Sequence, residues 1–385
     1  MTLIIPSSSN NTSSLYFHIP FCSKKCDYCH FYVIPERENH KEQLMEALKR
    51  EWEAQKGKIG EKDLISVYFG GGTPALLGPE RVQEILKWIR ESCPSIENAE
   101  ITLEANPENI TLPLMKAFCQ AGINRASIGV QTFNDPLLIT IGREHSSQKA
   151  VDAVIATYEA GIRNISIDLM YDLPGQTLSN WKSSLETCIK LPISHLSLYN
   201  LTIEPHTVFF KKEEQIRKAM PEEDVSTQMY ELAQEVMEKH GLQQYEISAF
   251  AKDGAWSKHN TGYWTGRPFL GLGPSAFSHW NGQRFRNIAS LSKYHKALKT
   301  NESPIDYQEE LTKEEQIREA LVIQLRLLCG VNIPDFEKRH APLENETQDI
   351  IKRLLLQGLL HQENNTLSLT KKGILFYDTV ASELI

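Results

Sequence analysis

The chain has 385 residues, 41% of them hydrophobic, enough for one large core plus one small one, or two to three modest domains. Its 41 Lys+Arg against 49 Asp+Glu leave a net charge of −8, which argues against a nucleic-acid or anionic-membrane binder of the usual basic kind. Seven cysteines without regular spacing outside one cluster fit a reducing cytoplasm. No apolar run approaches the ~20 residues that span a bilayer.

Residues 1–13 read as a flexible polar tail. They lack a positively charged start, and their apolar run is too short for a signal peptide. A short apolar strand at 15–18 leads into FHIPFCSKKCDYCHF, which places Cys22, Cys26 and Cys29 at the spacing C-x3-C-x2-C. Thiolates are soft ligands that favour zinc, copper(I) and iron–sulfur clusters. A structural zinc site takes four ligands, usually as two pairs, and the next cysteines, Cys93 and Cys119, are isolated. A 4Fe–4S cluster on three cysteines leaves one iron open to a small molecule. The segment CDYCH also spells the attachment motif of c-type heme. That reading leaves Cys22 unexplained and belongs with exported proteins.

A polar amphipathic helix is expected over 38–56. The buried-strand run LISVYF (64–69) ends on Gly70-Gly71-Gly72-Thr73-Pro74, and Pro79 suits the first turn of the next helix. Strands at 100–103, 126–130, 165–169 and 195–201 alternate with helices at 112–120, 147–159 and 178–190. Such alternation implies a parallel sheet with right-handed crossovers over residues 14–203, either open or closed into part or all of a barrel. In a barrel, function gathers at the C-terminal strand ends. The cysteines, GGGTP, Glu104, Gln131 and Asp168 all fall there. Glycines at such a turn let backbone N–H groups approach a ligand, as in phosphate-binding turns. GGGTP lacks the P-loop lysine and the dinucleotide spacing, and on its own it also reads as a bare turn.

Residues 204–310 read as an irregular extension. It holds a charged, solvated helix face at 211–217, a helix at 222–239, a possible edge strand at 244–248 and a Gly- and aromatic-rich stretch at 256–280. Residues 311–385 read as a separate winged-helix-like α+β unit. Helices at 312–328 and 347–357 precede short strands around Asn364-Asn365 and a last helix from Thr370. With 9 Lys+Arg against 11 Asp+Glu, a net of −2, this unit reads as a packing or partner-binding element, not a reader of DNA.

Taken together, YFHIPFC with its three cysteines, YFGGGTP, EANPE, GVQTF, GREHS and IDLMYDLPGQT resemble the radical S-adenosylmethionine (SAM) superfamily. The resemblance lies in the branch that holds oxygen-independent coproporphyrinogen III dehydrogenase. It implies a partial (β/α)6 TIM-like barrel, a 4Fe–4S cluster on Cys22, Cys26 and Cys29, and SAM on the open iron. In that family an electron from the cluster cleaves the sulfonium bond to a 5′-deoxyadenosyl radical. It also implies that Tyr16, Gly71, Gly72, Thr73, Glu104, Gln131, Arg143 and Asp168 line the SAM pocket. A strand-end carboxylate can accept from the SAM ammonium or ribose, and Arg143 can pair with the SAM carboxylate.

Two features separate the branches. The coproporphyrinogen enzyme has a fourth cysteine two residues after the third, where this chain has Phe31, and a longer segment than the 21 residues ahead of Cys22 here. In their place His259-Asn260-Thr261-Gly262-Tyr263-Trp264 gives HNxxYW, which looks like the heme chaperones of the HemW type. By that resemblance His259 is a candidate heme ligand, Asn260 orients the imidazole or a propionate, and Tyr263 and Trp264 pack on the porphyrin. Without it, the same residues read as a satisfied polar–aromatic corner. His145, His206 and His279 are further candidates for a second axial ligand. The expected function is heme binding and delivery to an acceptor, a respiratory-chain cytochrome being the expected one, from the cytoplasm. A homodimer is compatible with this. The alternative is the enzyme itself, decarboxylating coproporphyrinogen III oxidatively to protoporphyrinogen IX.

Overall fold

The computed structural model describes residues 11–385 apart from 61 and 253. Residues 1–10 of the expected tail lie outside the described residues, and Thr12 and Ser13 already belong to the first strand. Six strands run parallel in chain order: β1 (Thr12–Ile19), β2 (Asp63–Gly71), β3 (Glu100–Ala105), β4 (Arg125–Gln131), β5 (Asn164–Tyr171) and β6 (His195–Asn200). The crossovers carry α1 (Glu38–Ile59), α2 (Pro79–Ser92), α3 (Leu112–Ala121), α4 (Ser147–Glu159) and α5 (Leu178–Cys188). Each crossover steps to the adjacent position in one direction, the winding of a barrel.

Local chemistry starts and stops these helices. Thr111, Ser146 and Thr177 accept from backbone N–H groups in the first turns of α3, α4 and α5, and Thr177 with Asn180 forms a capping box. Gly122 ends α3 in the left-handed region.

Strand alternation sorts the side chains. Leu15, Phe17, Val67, Phe69, Leu103, Ile128, Ile167 and Leu198 join the main core against the helices. The alternate positions point inward and are polar or aromatic. Ser14, Ser66, Glu100, Arg125, Ser166 and His195 sit near the strand starts. Tyr16, Tyr68, Thr102 and Ser127 follow, and Glu104, Asp168 and Tyr199 stand toward the ends.

The region after β6 is more regular than its sequence suggests. α6 (Glu223–Lys239) packs on α5, and β7 (Gln243–Glu246) and β8 (Ala249–Ala251) add an antiparallel pair beside β6. α7 (Lys258–Trp264) docks at the strand starts. Then β9 (Phe269–Leu272) pairs parallel with β1, and β10 (Phe277–Trp280), β11 (Gln283–Asn287) and β12 (Ile305–Glu310) continue antiparallel. The sheet therefore has twelve strands, ordered β12-β11-β10-β9-β1-β2-β3-β4-β5-β6-β8-β7. The β9 strand escapes the sequence reading because it is only four residues long and contains Gly271, where a Cβ would lie 2.0 Å from the Phe277 carbonyl oxygen.

The C-terminal unit has its own core of Ile317, Leu321, Leu325, Phe336, Leu354, Leu367, Val380 and Leu384. It comprises α8 (Lys313–Leu325), α9 (Ile333–Arg339), α10 (Asn345–Leu356), a three-stranded sheet and two last helices. α9 and the strand Val331–Asn332, which completes the sheet, were not expected. Asn364 and Asn365 both take positive φ, the turn that joins two strands tightly. Among the described residues no helix is long and apolar enough to cross a membrane.

Candidate functional site

The cysteine loop leaves β1 at Pro20 and is tied down where Phe21–Cys22 pairs with Ile34–Pro35. This holds Cys22, Cys26 and Cys29 at the C-terminal mouth of the strands. There the three thiols line one cavity of about 400 Å³ together with Gly71, Gly72, Glu104, Gln131, Arg143 and Asp168. Residues separated by well over a hundred positions are thus gathered at one strand-end face.

The glycine turn behaves differently from a phosphate loop. The Gly71 N–H donates to Glu104 Oε2 at 3.2 Å, the Gly72 N–H to Ile19 O at 2.9 Å and the Thr73 N–H to Phe21 O at 2.6 Å. With these donors occupied, the turn has backbone carbonyls to offer, which suits an ammonium ligand better than an anion. Gly72 is also required sterically, because a Cβ there would lie 2.6 Å from the Phe21 carbonyl oxygen.

Glu104 accepts from the Tyr68 hydroxyl at 2.7 Å, and Asp168 from Ser127 Oγ at 3.2 Å. Burial, reinforced by the charge of Asp168, pushes the Glu104 carboxyl up to about 7, and burial pushes Asp168 up to about 6. The charge of Arg125, and for Asp168 also that of Arg143, offsets only part of these shifts, and a ligand ammonium would supply a closer cation. Arg143 donates to Asn106 Oδ1 at 2.9 Å and to Gly129 O at 2.5 Å, and places Nη1 3.5 Å from Cys26 Sγ. Its buried Nε has no hydrogen-bond partner among the described residues. Gln131 takes φ +67 at a bulge, a strained conformation for a non-glycine residue.

Tyr16 and Thr73 do not line the cavity. Tyr16 lies deeper, its hydroxyl 3.1 Å from His18 Nδ1 and its ring stacked on Tyr68. Thr73 is buried behind the cysteines, with Oγ1 3.6 Å from Cys22 Sγ and accepting from Asn106 Nδ2 at 3.0 Å. Asn106, Ser127, Gly129 and Tyr199 line the cavity but were missed. The strand-end rule already pointed to them, and Asn106 lies within the EANPE motif. Phe31, the position of the related enzyme's fourth cysteine, is half exposed on the same rim.

The donor set fits an iron–sulfur cluster. Three soft thiols share one cavity, with a guanidinium beside one of them. Among the described residues no three ligand side chains converge as they would for a single metal ion. Burial pushes the Cys22 thiol up to about 11 and raises Cys29 as well, so cluster assembly has to displace protons.

HNxxYW lies at the opposite end of the strands. Ser257 caps α7, and the Glu100 carboxylate accepts from the N–H groups of Lys258 and His259, both at 3.1 Å. His259 is buried, its Nδ1 2.8 Å from Ser66 Oγ and its Nε2 2.8 Å from the Tyr263 hydroxyl. Both nitrogens are engaged, and burial pushes the imidazole down to about 3. His259, expected as an iron ligand, is therefore a satisfied core histidine here, with no nitrogen free for iron. Asn260 is half buried near the same helix start. Tyr263 and Trp264 instead reach a second cavity of about 360 Å³. Of the other candidates, both nitrogens of His145 are occupied, by Glu108 and by Val130 O. His206 is exposed, and His279 lines the second cavity.

The Radical SAM superfamily matches residues 16–188, and the HemN C-terminal domain matches residues 311–376. The heme chaperone HemW of Bacillus subtilis (strain 168) is 37% identical over 369 residues, covering 95% of this chain and 97% of that protein. The heme chaperone HemW of Lactococcus lactis is 36% identical over 362 residues, 94% of each chain. Among solved structures, the coproporphyrinogen III oxidase HemN of Escherichia coli superposes with a TM-score of 0.85 at 24% identity, over 97% of this chain and 90% of that one. The last is a likeness of fold. The chain belongs to the radical SAM superfamily and, within it, to the HemW family.

Proposed function

We propose that this chain is a heme carrier that binds heme and passes it to an acceptor protein. It would hold a 4Fe–4S cluster on Cys22, Cys26 and Cys29, and SAM among Gly71, Gly72, Glu104, Gln131, Arg143 and Asp168. When bound, the cluster supplies an open iron for the SAM amino and carboxylate groups. Glu104 and Asp168 would accept from the ammonium or ribose of SAM, and Arg143 would face its carboxylate. The observation that carries the reading is identity along the whole chain to proteins named heme chaperones. Phe31 on the cavity rim, where the enzyme branch has a cysteine, supports it.

A respiratory-chain cytochrome as acceptor, a homodimer and a cytoplasmic setting complete the proposal. The competing reading, a porphyrinogen decarboxylase, has the same SAM cavity and the likeness of fold in its favour. The test is anaerobic heme titration of the cluster-loaded protein, followed by the Soret band. Saturable binding near one heme per chain is expected. A flat titration would overturn the carrier reading.

A further inference from the structure

The second cavity has walls from two units. From the extended sheet come Phe269, Phe277, His279 and Arg284, preceded by Tyr263, Trp264 and Arg267 of the α7 segment. Phe277 and His279 alternate with the buried Ser278 and Trp280, so they share one face of β10. The opposite wall is α8. Its Gln316, Glu319, Ala320, Ile323 and Gln324 recur at helical spacing. The other face of α8 carries Ile317, Leu321, Val322 and Leu325 into the C-terminal core. This helix thus has two jobs, which explains why it shows no single apolar stripe.

Two features distinguish this cleft from a plain gap between units. Its surface is mostly apolar, and its volume falls in the range of roughly 300–1,000 Å³ typical of small-molecule sites. Above all, His279 is half buried and makes no side-chain hydrogen bond among the described residues. The other buried or half-buried histidines, His18, His40, His145, His195, His259 and His295, each commit at least one ring nitrogen to one. Its imidazole thus faces the cavity with its ring nitrogens uncommitted, the form in which a histidine can ligate a metal.

We propose that this cleft is the heme site, with His279 as the iron ligand, Tyr263 and Trp264 against the porphyrin, and Arg284 toward the propionates. This rests on the carrier reading and adds the location and the ligand. Arg284 already pairs with Glu309 at 3.2 Å and with Glu319, so the propionates compete with Glu319 for it. His340, exposed at the end of α9, stands at the cleft and can complete the coordination from the C-terminal unit. A ligand shared between units makes release sensitive to their relative position. His259 then serves the site indirectly, by fixing the Tyr263 hydroxyl.

The test is heme titration of the cluster-loaded, full-length protein under anaerobic conditions, with Soret and resonance Raman readouts. His279→Ala and His279→Gln remove the ligand, and Ala320→Trp fills the cleft from α8 without touching it. The expected result is at least roughly tenfold weaker binding for all three. A changed Soret position in the His279 variants, restored by added imidazole, is also expected. Thermal midpoints and cluster absorbance identify a variant that has merely unfolded. If wild type binds heme and the folded variants bind it with the same affinity and spectrum, the cleft assignment is overturned while the carrier reading stands. If wild type binds no heme, the carrier reading itself falls.

Discussion

Arg143 places its Nη1 3.5 Å from Cys26 Sγ while its Nη2 holds Asn106 and the Gly129 carbonyl. One guanidinium so links the cysteine loop to two strand ends of the barrel. A fixed positive charge at that distance is placed to pair with the anionic cluster that the loop is proposed to hold. Arg143→Met should lower the iron and sulfide retained after anaerobic reconstitution and weaken SAM binding by roughly tenfold in calorimetry. Arg143→Lys should recover much of the cluster but less of the SAM affinity, because a lysine cannot reproduce the fork geometry. Equal behaviour of Met and Lys variants in both assays would contradict this role.

Glu104 gives the apo-protein a pH dependence of definite sign. Its carboxyl is held at about 7 in the folded chain, above the usual carboxylate range. The folded state therefore binds the proton more tightly, and this contribution to stability is present at low pH and lost as pH rises toward 7. Glu104→Gln should stabilise the apo-protein by about 1–2 kcal/mol at pH 8 and by much less at pH 4.5. Urea unfolding at the two values checks this, and no difference between them would contradict it. SAM should shift the balance, because its ammonium favours the ionised carboxyl.

His259 acts in the opposite sense. Its imidazole sits at about 3, below the unfolded value near 6.5. The unfolded chain binds the proton more tightly, so stability falls as pH drops from about 6.5 toward 3. His259→Ala should cost about 2–4 kcal/mol at pH 7, from the cavity and the stranded hydroxyls of Ser66 and Tyr263. Its stability should also fall less steeply between pH 6.5 and 4 than that of wild type. The folded fraction should still show heme coordination. Loss of the axial-ligand spectrum in a fully folded His259→Ala protein would return His259 to the iron.

Much of the architecture was legible because strand and helix patterns are local. The helix over 147–159 needs only its own spacing and the Ser146 cap. The glycine turn and the cysteine loop were legible as strand-end features once alternation implied a parallel sheet. What escaped is non-local. His259 meets Ser66 across a separation of 193 residues, and no spacing within HNxxYW shows that its imidazole is already satisfied. Tyr16 was placed in the SAM pocket by resemblance, but its inward position is one layer too deep. The second cleft depends on β10 facing α8, a juxtaposition that neither segment announces alone.

The proposed carrier role requires that this radical SAM protein bind and pass on heme and not convert coproporphyrinogen III. The most direct measurement pairs two assays on one anaerobic, cluster-loaded preparation. In the first, heme-loaded protein is mixed with an apo-cytochrome and transfer is followed by the shift of the Soret band. In the second, the protein receives SAM, an electron donor and coproporphyrinogen III, and protoporphyrinogen is sought. Transfer is expected in the first and no product in the second. Catalytic turnover of coproporphyrinogen III without heme transfer would contradict it.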